Sequence, residues 1–296
     1  MRLIHYHPKR KPLRNNNRAV SPAISTVVMT TALVVLVFVA MNYANSSLTL
    51  SIAGDEFSAS KQFMQTVGMQ IDNVAWTIGR TETVDFTSRY GQIAFVPNVI
   101  NYTFEINNGG SWQTIYNATT GMIMYKMPTS TYNLGNNYFD RVVPSNDGSI
   151  LQWNASASVS QVFATEKLPM KDGSFARVIS VPAVRALNST LNTAAGNYSY
   201  YKFYLPTLIG GSSPYLSQSV TLTGSSLNRV MPSGTVTQIR INATALAAPS
   251  TPPGFDSGFF NFDHASETIN ITQGPPGSSL IEFYSGTVSV SIGLVA

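Results

Sequence analysis

Between Ala19 and Gly54 the chain carries no charged side chain, and this stretch constrains the fold more than any other feature. Residues 24–41 are almost wholly apolar, broken only by Ser25, Thr26, Thr30 and Thr31. Wound as a helix, 18 to 22 such residues cover roughly 27–33 Å, about the thickness of one hydrocarbon core. Ser21 followed by Pro22 is a helix-start signal. A serine hydroxyl accepts a free backbone N–H, and proline fits the first turn, where its missing donor is not needed. Arg2, Lys9, Arg10, Lys11, Arg14 and Arg18 all precede the segment and no acid does, so the N-terminus is expected to stay in the cytoplasm.

Three readings fit such a segment. The first is a single-pass anchor. The second is a secretory signal peptide, whose apolar region is shorter and ends in a small-x-small cleavage site. Here the apolar run is longer, and Asn42 falls where cleavage after Ala44 requires a small residue. The third places the cut before the apolar helix. A basic leader, then Arg18-Ala19, then Val20-Ser21-Pro22-Ala23-Ile24 and an apolar helix resembles the class III signal of archaeal type IV pilin-like proteins. The resemblance implies cleavage between Ala19 and Val20 by a prepilin peptidase. It also implies partners in an assembly platform and a cytoplasmic ATPase, and self-assembly through the helix. The fifth residue of such a mature chain is Ile24, not the glutamate of the bacterial pattern.

Length predicts one to two domains, and the residues after the helix suffice to bury a core without staples. The division expected is a leader at 1–19, an assembly helix with an amphipathic extension at 20–80, and a β-domain at 81–296. The formal charge of +4 is misleading. Six of the 18 basic residues lie in the leader, leaving 12 against 14 acids. The basic balance is a topology signal, and no basic patch interleaved with aromatics argues for nucleic acid. With no cysteine, disulfides and thiol chemistry are excluded. Only 11% of residues are charged, with Asn, Ser, Thr, Gly and Tyr in their place. Asn-x-Ser/Thr sequons occur at Asn45, Asn101, Asn117, Asn154, Asn188, Asn197, Asn242 and Asn270. All but Asn45 are glycan candidates in or beside expected loops and strand ends. A polar β-protein rich in Asn and Thr generates the same motif without glycans.

Along the chain, alternation at Leu48, Leu50 and Ile52, followed by Gly54, predicts that the first helix breaks there, and Asp55-Glu56 suits a new helical start. Phe57, Met64, Ile71 and Ile78 recur every seven residues with Val67 and Val74 between them, a stripe for packing on the chain's own β-domain or on neighbouring subunits. After Arg80 the period becomes two. Strands are expected at 81–86, 92–96, 102–106, 112–116, 121–127, 150–153, 159–165, 175–184, 198–205, 220–223, 235–243, 268–272, 280–284 and 287–294. Asn107-Asn108-Gly109-Gly110 is a hairpin signal. The fold class expected is α+β: a long N-terminal hydrophobic helix followed by an all-β sandwich or jelly-roll-like ectodomain.

Little in the sequence carries chemistry. Outside the leader, His264 is the only histidine. Asp256, Asp263, His264 and Glu267 form a local acidic cluster beside Phe259, Phe260 and Phe262, expected as a loop with an aromatic plug and weighed against a hard-cation site. No nucleophile elbow, phosphate loop or zinc motif occurs, and no catalytic residue, metal ligand or cofactor is assigned. The function expected is a non-enzymatic filament subunit serving surface attachment. Its rivals are a membrane-anchored surface glycoprotein that never polymerises and a sugar-binding or enzymatic module, for which Trp112 and Trp153 are candidate stacking residues.

Overall fold

The computed structural model describes residues 21–135, 137–145, 148–153, 159–166, 174–194, 196–211, 218–232, 234–246, 260, 262, 264–271 and 279–293. Among the described residues one helix, α1 (Ser21–Ala75), comes first. Thirteen strands follow among the described residues: β1 (Thr81–Val84), β2 (Gln92–Asn107), β3 (Trp112–Pro128), β4 (Phe139–Val143), β5 (Leu151–Gln152), β6 (Ser160–Thr165), β7 (Phe175–Pro182), β8 (Val184–Thr193), β9 (Gly196–Gly210), β10 (Val220–Val230), β11 (Gln238–Ala245), β12 (Ser266–Asn270) and β13 (Ser279–Ile292). The chain divides into two compact units, residues 1–51 and residues 52–296. The fold is α+β, with a long apolar N-terminal helix and a β-sandwich.

In the second unit a six-stranded sheet, ordered β1-β10-β13-β9-β8-β5, faces a seven-stranded sheet, ordered β12-β11-β2-β3-β7-β6-β4. Period-two alternation sends Tyr102, Phe104 and Ile106 of β2, Tyr201, Phe203 and Leu205 of β9 and Phe283 of β13 into a common core between them. Phe260 is the aromatic plug expected of its loop and joins this core. The Asn107–Gly110 hairpin also forms. Asn107 pairs with Trp112, Gly109 takes a positive φ of 88°, and Asn107 Oδ1 accepts the Gly109 and Gly110 amides.

A second core lies under the helix. Phe57, Met64, Val67, Ile71 and Val74 are buried against Ile123, Tyr125 and Val178 of the larger sheet and Leu208, Val220, Val288 and Val290 of the smaller one. Each such burial is worth about 1.5–3 kcal/mol relative to exposure. Gly68 lets this helix face approach closely, since a Cβ there would sit 2.4 Å from Ser160 Oγ. At the helix end a Cβ on Gly286 would lie 2.2 Å from the Ala75 carbonyl oxygen.

Several expectations are corrected. The helix does not break near Gly54; it runs unbroken through it. The alternation at 48–52 is too short to outweigh continuous i to i−4 bonding, and Gly54 is tolerated against the Tyr132 ring, 3.4 Å from where a Cβ would stand. Asp55 and Glu56 therefore do not start a helix. The packing stripe ends at Val74, because the helix stops at Ala75 and leaves Ile78 65% exposed. Strands 92–96 and 102–106 are one strand bent at a bulge, where Asn98 takes a φ of 55°. Likewise 112–116 joins 121–127, and 280–284 joins the expected last strand as far as Ile292, residue 294 lying outside the described residues. Strands β4 and β8 were not expected. The Val184–Thr193 sequence ends in polar residues, and its pairing with β9 supplies the order that its own pattern lacks.

Candidate functional site

The first unit carries the most constrained surface. Ile24, Val27, Leu33, Leu36, Val37 and Phe38 are all exposed, Leu36 at 64%. Water is a poor solvent for such a continuous apolar cylinder. Three polar side chains within or beside it turn back on their own helix. Thr30 Oγ1 donates to the Thr26 carbonyl at 2.8 Å, Thr31 Oγ1 to that of Val27 at 2.8 Å, and Asn42 Nδ2 to that of Phe38 at 2.9 Å. With the backbone bonded along the helix and these three side chains bonded back to it, the apolar part of the helix is suited to a medium that offers no hydrogen bonds. It is long and apolar enough to cross a membrane. Arg18, Ala19 and Val20, the residues of the expected processing site, lie outside the described residues.

In the second unit, Glu56 ties the helix to the β1–β2 connection. Its carboxylate accepts the Ser88 hydroxyl, the backbone N–H groups of Arg89 at 3.0 Å, Tyr90 at 3.1 Å and Gly91 at 3.0 Å, and the Tyr125 hydroxyl at 2.7 Å. Burial opposes the charge, but these donors outweigh it and hold Glu56 below the usual carboxylate range. Burial and the neighbouring carboxylate push the Tyr125 phenol up, so it remains a donor. Nearby, Lys61 pairs with Asp140 at 2.7 Å. Nothing in the sequence pattern distinguishes Glu56 from Asp55; only the fold selects it.

The sequons are placed differently from expectation. Asn101, Asn117, Asn188, Asn197 and Asn242 lie inside strands, and Asn270 ends β12; Asn154 lies outside the described residues. Three of them share the outer face of the larger sheet. Thr103 is the cross-strand partner of both Asn242 and Asn117, and in the next row Asn101 is flanked by Thr244 and Thr119. A strand places residues i and i+2 on one face, so each Asn-x-Thr there becomes part of an Asn/Thr lattice. Asn117, Asn188 and Asn270 are exposed, whereas Asn242 is half-buried and donates to Glu105 at 3.0 Å. Asn45, set apart from the glycan candidates, is exposed on the helix of the first unit.

Of the acidic cluster, Asp256 and Asp263 lie outside the described residues, His264 is exposed, and Glu267 is half-buried on β12. Among the described residues no three His, Asp or Glu side chains are gathered to hold a metal ion. Trp112 carries the Arg240 guanidinium 4.2 Å over its ring, and Trp153 is 47% exposed, edge-on to Phe203 at 6.4 Å. Comparison with known proteins finds no matching family model, no matching curated protein and no matching solved structure.

Proposed function

We propose that this chain is a structural subunit of a type IV pilus-like surface filament that serves adhesion or surface attachment. It is held first in the membrane and then in the filament by its N-terminal helix. One observation carries the reading: from Ile24 to Met41 the helix presents apolar side chains almost all round and no charge, with Thr30, Thr31 and the adjoining Asn42 bonded back to its own carbonyls. Lipid satisfies such a surface, and so does a bundle of identical helices, because both keep it from water. Passage from one to the other then needs no change in the helix itself. Removal of residues 1–19 by a prepilin peptidase cutting after Ala19 would take away the six cations that hold the N-terminus at the cytoplasmic face. The assembly platform and its ATPase are partners on the same reading. Glycans on the second unit belong to it too, with Asn117, Asn188 and Asn270 the favoured sites, since attachment at Asn242 would use the nitrogen bonded to Glu105.

Electron microscopy of sheared surface material, beside a blot of the membrane fraction, tests the assignment. Filaments that contain the chain and begin at Val20 by mass spectrometry are expected. Leu36→Trp is expected to leave membrane insertion intact while abolishing filaments, because overpacking a fitted helix contact costs about 1–3 kcal/mol at every subunit. A chain retained wholly in membranes with Met1 still attached would make it a non-polymerising anchored surface protein.

A further inference from the structure

Asn108-Gly109 is the only Asn-Gly dipeptide in the chain, and it lies at the tip of the β2–β3 hairpin. Such a dipeptide is open to spontaneous loss of its side-chain amide. The glycine nitrogen can close on the asparagine Cγ, and a glycine has no Cβ to block the approach. Asn108, Gly109 and Gly110 are all exposed, so water reaches the turn freely. Gly109 and Gly110 take positive φ values of 88° and 153°, and a Cβ on either would meet nothing within 4 Å. Neither crowding nor burial shields Asn108.

Hydrogen bonding does. One row of the larger sheet aligns Asn270, Gln238, Asn107 and Trp112 across β12, β11, β2 and β3. The first three carry side-chain amides, and these bond head to tail. Asn270 Oδ1 accepts from Gln238 Nε2 at 2.9 Å, and Gln238 Oε1 accepts from Asn107 Nδ2 at 3.2 Å. Asn107 Oδ1 then accepts the backbone N–H groups of Gly109 at 3.1 Å and Gly110 at 2.8 Å. The backbone end sets the direction of the ladder. Two N–H donors require an oxygen from Asn107, which turns its nitrogen toward Gln238, and that nitrogen requires the Gln238 oxygen in turn. Asn107 is anchored by its main chain as well, its carbonyl accepting the Thr237 N–H at 2.8 Å and the Thr237 hydroxyl at 2.9 Å. The clamp on the turn therefore rests on Gln238, 131 positions along the chain.

We infer that Asn108 is a site of spontaneous deamidation whose rate is held down by this amide ladder. In the reaction the Gly109 nitrogen gives up its proton and bonds to Asn108 Cγ, the Cγ–Nδ2 bond breaks, and ammonia leaves with the proton. Water then adds at either carbonyl of the resulting cyclic imide and opens it to aspartate or isoaspartate. No electron is transferred, and water is the only co-reactant. The turn gains one negative charge, and the isoaspartate route carries the main chain through the former side chain. Ring closure needs the Gly109 N–H deprotonated and its peptide plane turned toward Cγ. The Asn107 oxygen opposes both, because it holds that proton and fixes the peptide planes on either side of Gly109. Two such bonds, at the usual net worth of a protein hydrogen bond, slow closure about tenfold.

Incubation of the detergent-solubilised full chain in warm neutral buffer tests this. Mass spectrometry follows residue 108 by the mass gain of amide-to-acid conversion, and each chain is compared with itself unfolded in urea. The native chain is expected to convert about tenfold more slowly than the unfolded one. Asn107→Ala is expected to raise the native rate about tenfold, and Gln238→Leu a few-fold, since the latter frees Asn107 to turn without removing its oxygen. Asn107→Asp keeps an acceptor for both glycine amides and is expected to stay near the wild-type rate. Melting temperatures check that each variant is folded. No conversion at Asn108 even in urea overturns the inference, as does native conversion as fast as in urea. So does a folded Asn107→Ala chain that converts at the wild-type rate. An Asn107→Asp chain as fast as Asn107→Ala overturns it too, because the hairpin would then be loosened generally and not unclamped.

Discussion

The two parts of α1 are one element by hydrogen bonding and two by solvent. Before Ile52 its apolar residues stay exposed and no charge appears. From Ile52 on, apolar residues occupy one stripe, buried at Phe57, Met64, Val67, Ile71 and Val74, while Asp55, Lys61 and Asp72 lie off it. A helix hydrophobic all round needs lipid or other helices as its solvent. A helix with a stripe needs one surface, and here both sheets of its own chain provide that surface. Continuous backbone bonding thus does not imply continuous function.

Truncation in the two parts separates them most sharply. Ile71→Ala is expected to destabilise the second unit by about 2–5 kcal/mol, because the cavity left is enclosed by packed side chains. Val35→Ala, deleting apolar atoms from the first unit, is expected to leave the thermal melt of the β-domain unchanged. Melting curves in one detergent make the comparison, and equal losses would break it. Next in size is Gly68→Ala. Its Cβ would sit 2.4 Å from Ser160 Oγ, so the hydroxyl must move, at a cost of about 1–3 kcal/mol. The double variant Gly68→Ala/Ser160→Gly is expected to recover part of that loss; failure to do so would place the strain elsewhere.

Acid sharpens the contrast further. Glu56 and Glu282 have folded-state pKa values below the ordinary 4.5, Glu282 at about 2. The stability they contribute is complete above the unfolded value and is lost as pH falls toward the folded values. The melting temperature of the second unit is expected to drop between about pH 5 and pH 3, and the drop to be shallower in Glu56→Gln and in Glu282→Gln. The first unit has no acid within residues 24–51, so its helical content, read by circular dichroism in detergent, should stay flat over the same range. A steep change there would be at odds with this division. The smallest effect expected is at Arg80–Glu82, an exposed pair at 2.8 Å: Glu82→Gln should change stability by less than about 1 kcal/mol.

What the residues determine alone follows from short-range physics. An uncharged run of apolar residues excludes water whatever lies around it, so residues 24–41 are legible as a helix in need of a dry environment. Alternation and the Asn107–Gly110 turn are equally local, and most strands and the main hairpin could be read from them. Where polar residues blur the period, as in the second half of β8, only pairing with β9 makes the strand. The seven-residue stripe is legible as far as Val74, but not its end, because Gly286 and the sheet behind it meet the helix terminus from far along the chain. The same distance separates the parts of each polar cluster. Glu56 meets Ser88, Gly91 and Tyr125, and Glu282 meets Tyr200 and Arg229, only after the sheets have brought them together. In residues 198–205 the sequence shows aromatic side chains on both faces of a strand. The tertiary structure alone decided that Tyr201 and Phe203 fill the core while Tyr200, Lys202 and Tyr204 face outward. Alternation sets which residues share a face, and only packing against the opposite sheet settles which face is buried.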